Sequence, residues 1–579
     1  MNVGLQRSAG CTMALLSFWK KSGRDTAAAR ILRRIEETPN RLYARVQVNE
    51  QNTSISYQQL ALCAAPYAAA CKENGLVPGD RALILFDHGP DLLYAFFGSM
   101  LAGIVPTLMS PPSPRQHPAH FWREQMQVIN RVNAKILFTN TKLRSTLDSV
   151  APDHGICTVT PETLPDETQL PSVAIASEDI AFLQHSSGTT GTKKGVMISH
   201  AALLHQVDAY ARSIQLSESD RIASWLPLYH DMGLITSCLL PVLTGVPVTL
   251  MSPFDWVVRP TILFDVIEQT KATLIWQPNF AFQHLTNCLG HSEDEWDLSS
   301  VRAFIDCSEK ARPETLDAFA AAVGRFGVGK TKLHTCYAMA ETVFGVTQSD
   351  LSVTPRTETI ETRALIEEAV ARPTLPSYCP TTNVLSCGKP IDGFSVLVMD
   401  SDGNRLPDRR IGEVCITGPS LARGYDQQPE KTAEAFRAGR YHSGDLGYMT
   451  NGELFVIGRM DDLLILNGRN HYAHDLEFSL KDIPGVVPGR VMALSVYKEE
   501  IGSDTLIILA ETRETDAAAL KLIKKSIRDA MVDETALVPS VIHLMPPQWL
   551  IKSTSGKISR HATREKLLTA SEEEISGAQ

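Results

Sequence analysis

Between Gly79 and Asn140 the chain reads GDRALILF, then PDLLYAFFGSMLAGIVPTLM, then AKILFTN. Short apolar strands here alternate with amphipathic or buried helices, and an earlier helix, SYQQLALCAAPYAAACKENG, ends near Gly75. That alternation predicts α/β layers with largely parallel sheets. A chain of 579 residues is too long for one core, so two or more domains are expected. The pattern changes after GELFVIGRMDD, which places a large layered α/β domain at residues 1–460 and a small α/β domain at 461–579.

Composition narrows the function classes. A net charge of −10 argues against a nucleic-acid footprint, and 44% hydrophobic with 21% charged residues is the balance of a soluble globular protein. The 11 cysteines are scattered and form no C-x-x-C, which fits reduced thiols and a cytoplasmic location better than disulfides or zinc. The apolar run from Cys11 to Trp19 reads as a leader into the first helix. No stretch reaches the roughly 20 apolar residues of a membrane span.

Ser186 to Gly195, SSGTTGTKKG, holds three glycines, three threonines, two serines and two lysines. The strand-like DIAFLQH precedes it, and VMISH follows, leading to a helix with Ser199 as N-cap. Glycines let backbone N–H groups approach oxygens, hydroxyls donate and lysine adds charge, so the stretch reads as a phosphate cradle. It is not a Walker A loop, because G-x-x-x-x-G-K-[ST] cannot be read in it.

This loop resembles the T-S-G-S-T-G-x-P-K-G signature of the adenylate-forming superfamily, with Lys193 at the usual proline and Lys194 at the family lysine. The other motifs follow in order. Trp225-Leu-Pro-Leu-Tyr-His-Asp-Met-Gly233 and PNFA, Pro278 to Ala281, are similar to the fatty acyl-AMP ligase branch, as is Asn467-Gly-Arg-Asn-His-Tyr-Ala-His-Asp-Leu-Glu477. Tyr337-Ala-Met-Ala-Glu341 resembles Y-G-x-A-E, Ser443-Gly-Asp-Leu-Gly447 resembles T-G-D-L-G, and Ser555-Gly-Lys-Ile-Ser-Arg560 resembles S-G-K-x-x-R. The stretch from Thr347 to Ser386 is similar to the extra segment of fatty acyl-AMP ligases, which in that family is linked to their failure to use CoA.

The resemblance implies an adenylate-forming enzyme fold, ATP as co-substrate and Mg2+ as cofactor. Ser186, Ser187, Gly188, Thr189, Thr190 and Gly191 would cradle phosphates, with Ser308, Glu309 and Tyr337 at adenine, Asp445 at ribose and Arg459 at ribose or phosphate. Glu341 and Thr190 would hold the metal, and Asp461 would be the hinge. Lys557, Lys194 and His230 are the implied catalytic residues: lysines offset charge on the α-phosphate, and the imidazole orients the acid. The implied second step passes the acyl group to the phosphopantetheine thiol of a carrier protein.

The acid is read from the residues that depart from the family. Tyr229, His230, Asp231, Trp276, Asn279, Asp306 and Ala338 are expected to line its pocket. Ile275-Trp276-Gln277 stands where small residues are usual, so an indole would fill space an alkyl tail needs. Asp306 could pair with a substrate ammonium, which favours a small amino acid such as glycine. A long-chain fatty acyl-AMP ligase is the alternative, and a noncatalytic or luciferase-like member is a further one from another class.

Overall fold

The computed structural model describes residues 25–48, 51–112, 118–186, 194–290, 294–375, 379–466, 469–498, 503–535, 537–552 and 558–569. Two large sheets organise the first part of the chain. One has six strands, in the order Cys157–Val159, Ile136–Thr139, Arg81–Leu85, Val105–Leu108, Ile180–Ser186 and Lys194–Ser199. Its pairings are parallel except the last, where Ser186 faces Lys194 across an antiparallel ladder. The two strands that flank the glycine-rich stretch are therefore antiparallel neighbours, and the chain after it continues as a strand. The helix comes one strand later, at His200–Ser213, where the Ser199 side chain accepts from Ala202 N as the sequence predicts.

The second sheet has nine strands. Its centre runs Gly345–Gln348, Leu333–Ala338, Ala303–Asp306, Leu274–Gln277 and Ile222–Ser224, and the pairings from Leu333–Ala338 to Ile222–Ser224 are parallel. Burial on both faces explains why these strands read as unbroken apolar runs. Helices clasp the sheets closely. At Gly98 on the helix Pro90–Leu101, an added Cβ would lie 2.4 Å from the Ala64 carbonyl oxygen, so the approach to helix Tyr57–Glu73 requires glycine.

An antiparallel sheet follows, with Ser395–Met399, Gly412–Thr417, Arg440–Thr450 and Glu453–Arg459 paired in sequence. Only Gly412–Thr417 of GEVCITGPSLARGY is strand, and the rest is a loop that carries Tyr425 into the site. After Asp462 a separate core forms on Leu476, Ala493, Ile508, Ile527 and Leu544. It is built from a three-stranded sheet, Val486–Lys498, Ser503–Thr512 and Val541–Met545, with helix Ala517–Thr535 packed on it.

Within the stretch from Thr347 to Ser386, the described residues form a small unit of their own. Thr357–Glu361 pairs with Thr381–Leu385, and Ala364–Glu368 makes a π-helical turn between them. Ile360, Leu365 and Val384 pack on the stacked rings of Tyr448 and Phe455 and on Tyr472. The bidentate Arg409–Glu358 pair and the Tyr448 hydroxyl on Glu358 close this cluster. Tyr472 lies beyond the expected hinge, so the insertion grips the first residues of the small domain.

Candidate active site

Four elements converge at the C-terminal ends of the central strands. Tyr337 ends one of these strands and Glu341 sits in the 3-10 turn Ala340–Thr342, so the two are not neighbours on a helix as their spacing alone suggests. The Tyr337 hydroxyl donates to Asp445 Oδ2 at 2.5 Å. Arg459 Nε lies 3.3 Å from Asp445 Oδ1, because Asp445 and Arg459 face each other across a strand pair. The Ser443 hydroxyl accepts from Asp445 N at 3.0 Å, and Gly444 takes φ +70, a turn that aims the carboxylate out of the ladder. Tyr337, Asp445 and Arg459 thus come together as a group suited to a nucleoside: a ring face, an acceptor for vicinal hydroxyls and a cation.

Glu341 and Lys194 form the second group. Glu341 Oε1 accepts from the Tyr425 hydroxyl at 2.9 Å, and Lys194 Nζ lies 4.6 Å above the Tyr425 ring. Burial raises the Glu341 carboxyl above its usual range, and it lowers the Lys194 ammonium below its own despite the attraction of Glu341. A divalent cation would reverse the penalty on Glu341, and a carboxylate oxygen is the donor Mg2+ prefers, so Glu341 fits the ion. Tyr425 was not visible in the sequence as a site residue, since it sits 84 positions from its partner with no local pattern.

His230 and Asp231 are held by a tight turn. His230 Nδ1 lies 2.6 Å from Asp231 Oδ1, which also accepts from Met232 N at 2.8 Å. A Cβ at Gly233 would meet the Pro227 carbonyl oxygen at 2.3 Å, so glycine lets the turn fold onto itself. Gln184 Nε2 donates to the Tyr229 carbonyl at 3.0 Å, which joins this turn to the strand that enters the glycine-rich loop.

Behind this turn the sheet is packed solid. Trp276 is 1% exposed and its indole N–H donates to the Tyr210 hydroxyl at 2.8 Å; that hydroxyl donates to Gln348 Oε1 at 2.9 Å. Phe344 meets the Tyr210 ring edge-on, and a Cβ at Gly345 would lie 2.8 Å from that ring. Neither Tyr210 nor Gln348 lies in a motif, so their contacts with Trp276 and with each other were not visible in the sequence.

Asp306 does not belong to this wall. Trp276 pairs in register with Ile305, whereas Asp306 pairs with Gln277 and Thr335, and successive residues on a strand point to opposite faces. Trp276 and Asp306 therefore face away from each other across the sheet. Both Asp306 oxygens are buried with no hydrogen-bond partner among the described residues, and burial followed by repulsion from Glu309 pushes its carboxyl well above the usual range. Burial disfavours charge on this carboxyl, and its strand face is opposite to that of Trp276. Asn279 also serves a local purpose: its Oδ1 accepts from Arg312 N at 3.2 Å, just before helix Pro313–Val323.

Ser308 adopts φ +71 at the turn after Asp306, and Glu309 Oε2 accepts from Phe280 N at 3.1 Å. Ala338 closes its strand opposite Gly345. Lys310, where the family usually has proline, reaches the small domain. Its Nζ lies 3.0 and 3.1 Å from the two oxygens of Asp475 and 3.1 Å from His474 Nε2. Arg312 Nη2 donates to Asp475 Oδ1 at 3.1 Å, and its guanidinium lies 3.8 Å from the Phe478 ring centroid. Burial, with Lys310 and Arg312 nearby, lowers His474 to about 3, against the pull of Asp475. Asp461 falls in the turn Met460–Asp462, and Asp462 is tied to Arg560 at 2.8 Å. Arg560 also engages Glu477, so the end of the S-G-K-x-x-R motif is anchored beside that turn. Ser187 to Gly191, with Thr190 among them, and Lys557 lie outside the described residues, as does the Ser186 side chain.

The comparisons agree with this layout. The AMP-binding enzyme family matches residues 32–426. The medium-chain-fatty-acid acyl-carrier-protein ligase JamA of Moorena producens is 30% identical over 558 residues, covering 92% of this chain and 93% of that protein. The long-chain-fatty-acid–AMP ligase FadD26 of Mycobacterium marinum is 29% identical, covering 85% and 87%. The crystal structure of a fatty acid AMP ligase from Legionella pneumophila superposes with a TM-score of 0.73 at 29% identity, over 94% of this chain and 96% of that one.

Proposed function

The chain belongs to the AMP-binding enzyme family, and from that premise we propose that it activates a short carboxylic acid as an acyl adenylate and passes it to a carrier-protein thiol. The observation that carries the reading is the meeting of Tyr337, Asp445 and Arg459 with Glu341 and Lys194, a nucleoside grip beside a phosphate-and-cation grip.

A carboxylate is a poor electrophile, so activation joins it to the α-phosphorus of ATP while pyrophosphate leaves. Tyr337 and Asp445 hold the adenosine, and Lys194 offsets charge on the phosphates. Lys557 would add a second cation from the small domain as negative charge builds on phosphorus. Mg2+, held by Glu341, would supply electrostatic stabilisation of the phosphate oxygens. His230, fixed by Asp231, orients the incoming acid. Asp461 is read as the pivot that later clears Lys557 so that the thiol can reach the adenylate. The ordered insertion between Thr357 and Leu385 and its grip on Tyr472 support a carrier-bound thiol over free CoA.

The packed Tyr210–Trp276–Gln348 chain supports a short acid. Asp306 lies on the opposite sheet face from Trp276, so the packing that supports a short acid carries no preference for glycine over other small acids. The second reading, a medium- or long-chain fatty acid, is favoured by the names of the relatives, which act on such acids.

The test is transfer. The protein, ATP, Mg2+ and acids of increasing length are incubated with a phosphopantetheinylated carrier protein or with CoA, and products are weighed by intact mass spectrometry. A short acyl thioester on the carrier, with little acyl-CoA, is expected. Acyl-CoA formed as readily without carrier overturns the second step.

A further inference from the structure

Outside the nucleotide and acid sites, one group of side chains among the described residues has metal-binding geometry. Glu413 and Cys415 stand two apart on the strand Gly412–Thr417, and Cys415 faces His442 across the antiparallel pair. A register shift between Glu413 and Cys415 draws Glu413 toward the same point. Residues i and i+2 of one strand project to the same face, and a cross-strand partner completes a three-sided cup.

The distances agree. Glu413 Oε2 lies 2.8 Å from His442 Nδ1, Cys415 Sγ lies 3.4 Å from that nitrogen, and Sγ lies 3.9 Å from Glu413 Oε2. Around a tetrahedral ion with bonds of about 2.0–2.3 Å, ligand atoms sit about 3.3–3.8 Å apart, so small side-chain movements would bring all three to bonding distance. One sulfur, one imidazole and one carboxylate make a borderline-soft donor set, which favours Zn2+ over Mg2+ or Ca2+.

We propose that Glu413, Cys415 and His442 form a binding site for a thiophilic divalent cation of the Zn2+ class, separate from the Mg2+ position at Glu341. Cys415 is fully buried, while the Glu413 and His442 side chains keep a narrow exposed edge of 17% and 11% through which the ion and a fourth, water ligand enter. Arg437 Nη2 now occupies that edge, 3.1 Å from His442 Nδ1. Its side chain is 57% exposed, so it swings into solvent at small cost when the ion arrives. The thiol proton leaves to solvent as sulfur binds. Glu413 Oε1 also accepts from Gly444 N at 3.2 Å, so the site is attached to the turn that carries Asp445.

The full-length protein, stripped with a chelator, is titrated with Cd2+ and followed by the thiolate-to-cadmium absorption band; Zn2+ is then used to displace Cd2+. One equivalent of Cd2+ bound with that band, and its displacement by Zn2+, are expected. Cys415→Ala should lose the band, and His442→Gln, at a partly exposed position, should weaken binding while the fold holds by circular dichroism. A wild-type protein without the band, or a band unchanged in both variants, overturns the assignment. This readout is independent of ligase activity, so it stands or falls apart from the proposed reaction.

Discussion

The proposed preference for a short acid rests on Trp276. Its indole fills the space beside Ile305, and its N–H is spent on a hydroxyl that itself serves Gln348. Trp276→Ala would empty this space and leave the Tyr210 hydroxyl without its donor. The stability cost is about 3–5 kcal/mol for the cavity and about 1 kcal/mol for the lost hydrogen bond. The same space would then accept alkyl carbons, each worth about 0.8 kcal/mol, or about fourfold in kcat/KM. Four such methylenes would shift the preference from the shortest acid toward a longer one by up to roughly two-hundredfold. Trp276→Phe keeps most of the volume and removes only the N–H, so it should lose stability while keeping the short-acid preference. The assay is acid-dependent ATP–pyrophosphate exchange across straight-chain acids of rising length, run on the wild type and both variants. If the wild type uses long acids as well as short ones, and Trp276→Ala gives the same profile, the indole does not close the pocket and the reasoning is refuted.

Three further outcomes follow from named contacts. Lys557→Ala should abolish adenylate formation while thiol transfer from supplied acyl adenylate survives; wild-type exchange in the variant would remove Lys557 from the first step. Asp306 has a raised folded pKa against an unfolded value of about 3.9, so its contribution to stability is lost as pH rises from about 4 toward that folded value. Asp306→Asn should therefore be more stable than wild type at neutral pH by thermal denaturation, and a less stable variant would show that the carboxylate has a partner. Asp475 is held below the usual carboxylate range because Lys310, His474 and Arg312 outweigh its burial. Its contribution is present above the unfolded value of about 3.9 and is lost as pH falls. Lys310→Ala, which leaves Arg312 and His474 beside Asp475, should cost about 1–3 kcal/mol and speed proteolysis near Asp461; unchanged proteolysis would mean the small domain docks without this contact.

Much of the layout was legible because it rests on local signals. Alternating strands and helices gave the layered fold, and Ser199 announced its helix by capping chemistry. Tyr337 and Asp445 stood in recognisable motifs, and the structure brings them together with Arg459. What was not legible depends on pairing register and distance. Asp306 and Trp276 look like neighbours in a pocket until the strand register puts them on opposite faces. Tyr425 reaches Glu341 from the loop that follows strand Gly412–Thr417, and Tyr210 meets Trp276 from a helix 66 residues away. The Lys310–Asp475 contact spans 165 residues, and Lys310 drew notice only as a replaced proline.

The central claim is that Tyr337, Asp445, Glu341 and Lys194 together make an acyl adenylate. The most direct test is exchange of labelled pyrophosphate into ATP by the purified protein with Mg2+, with and without a short acid, alongside mass detection of the acyl-AMP. Exchange that needs the acid, accompanied by acyl-AMP and lost in Asp445→Ala, is what the account predicts. ATP binding without acid-dependent exchange for any acid tried would contradict it and leave a nucleotide-binding protein in its place.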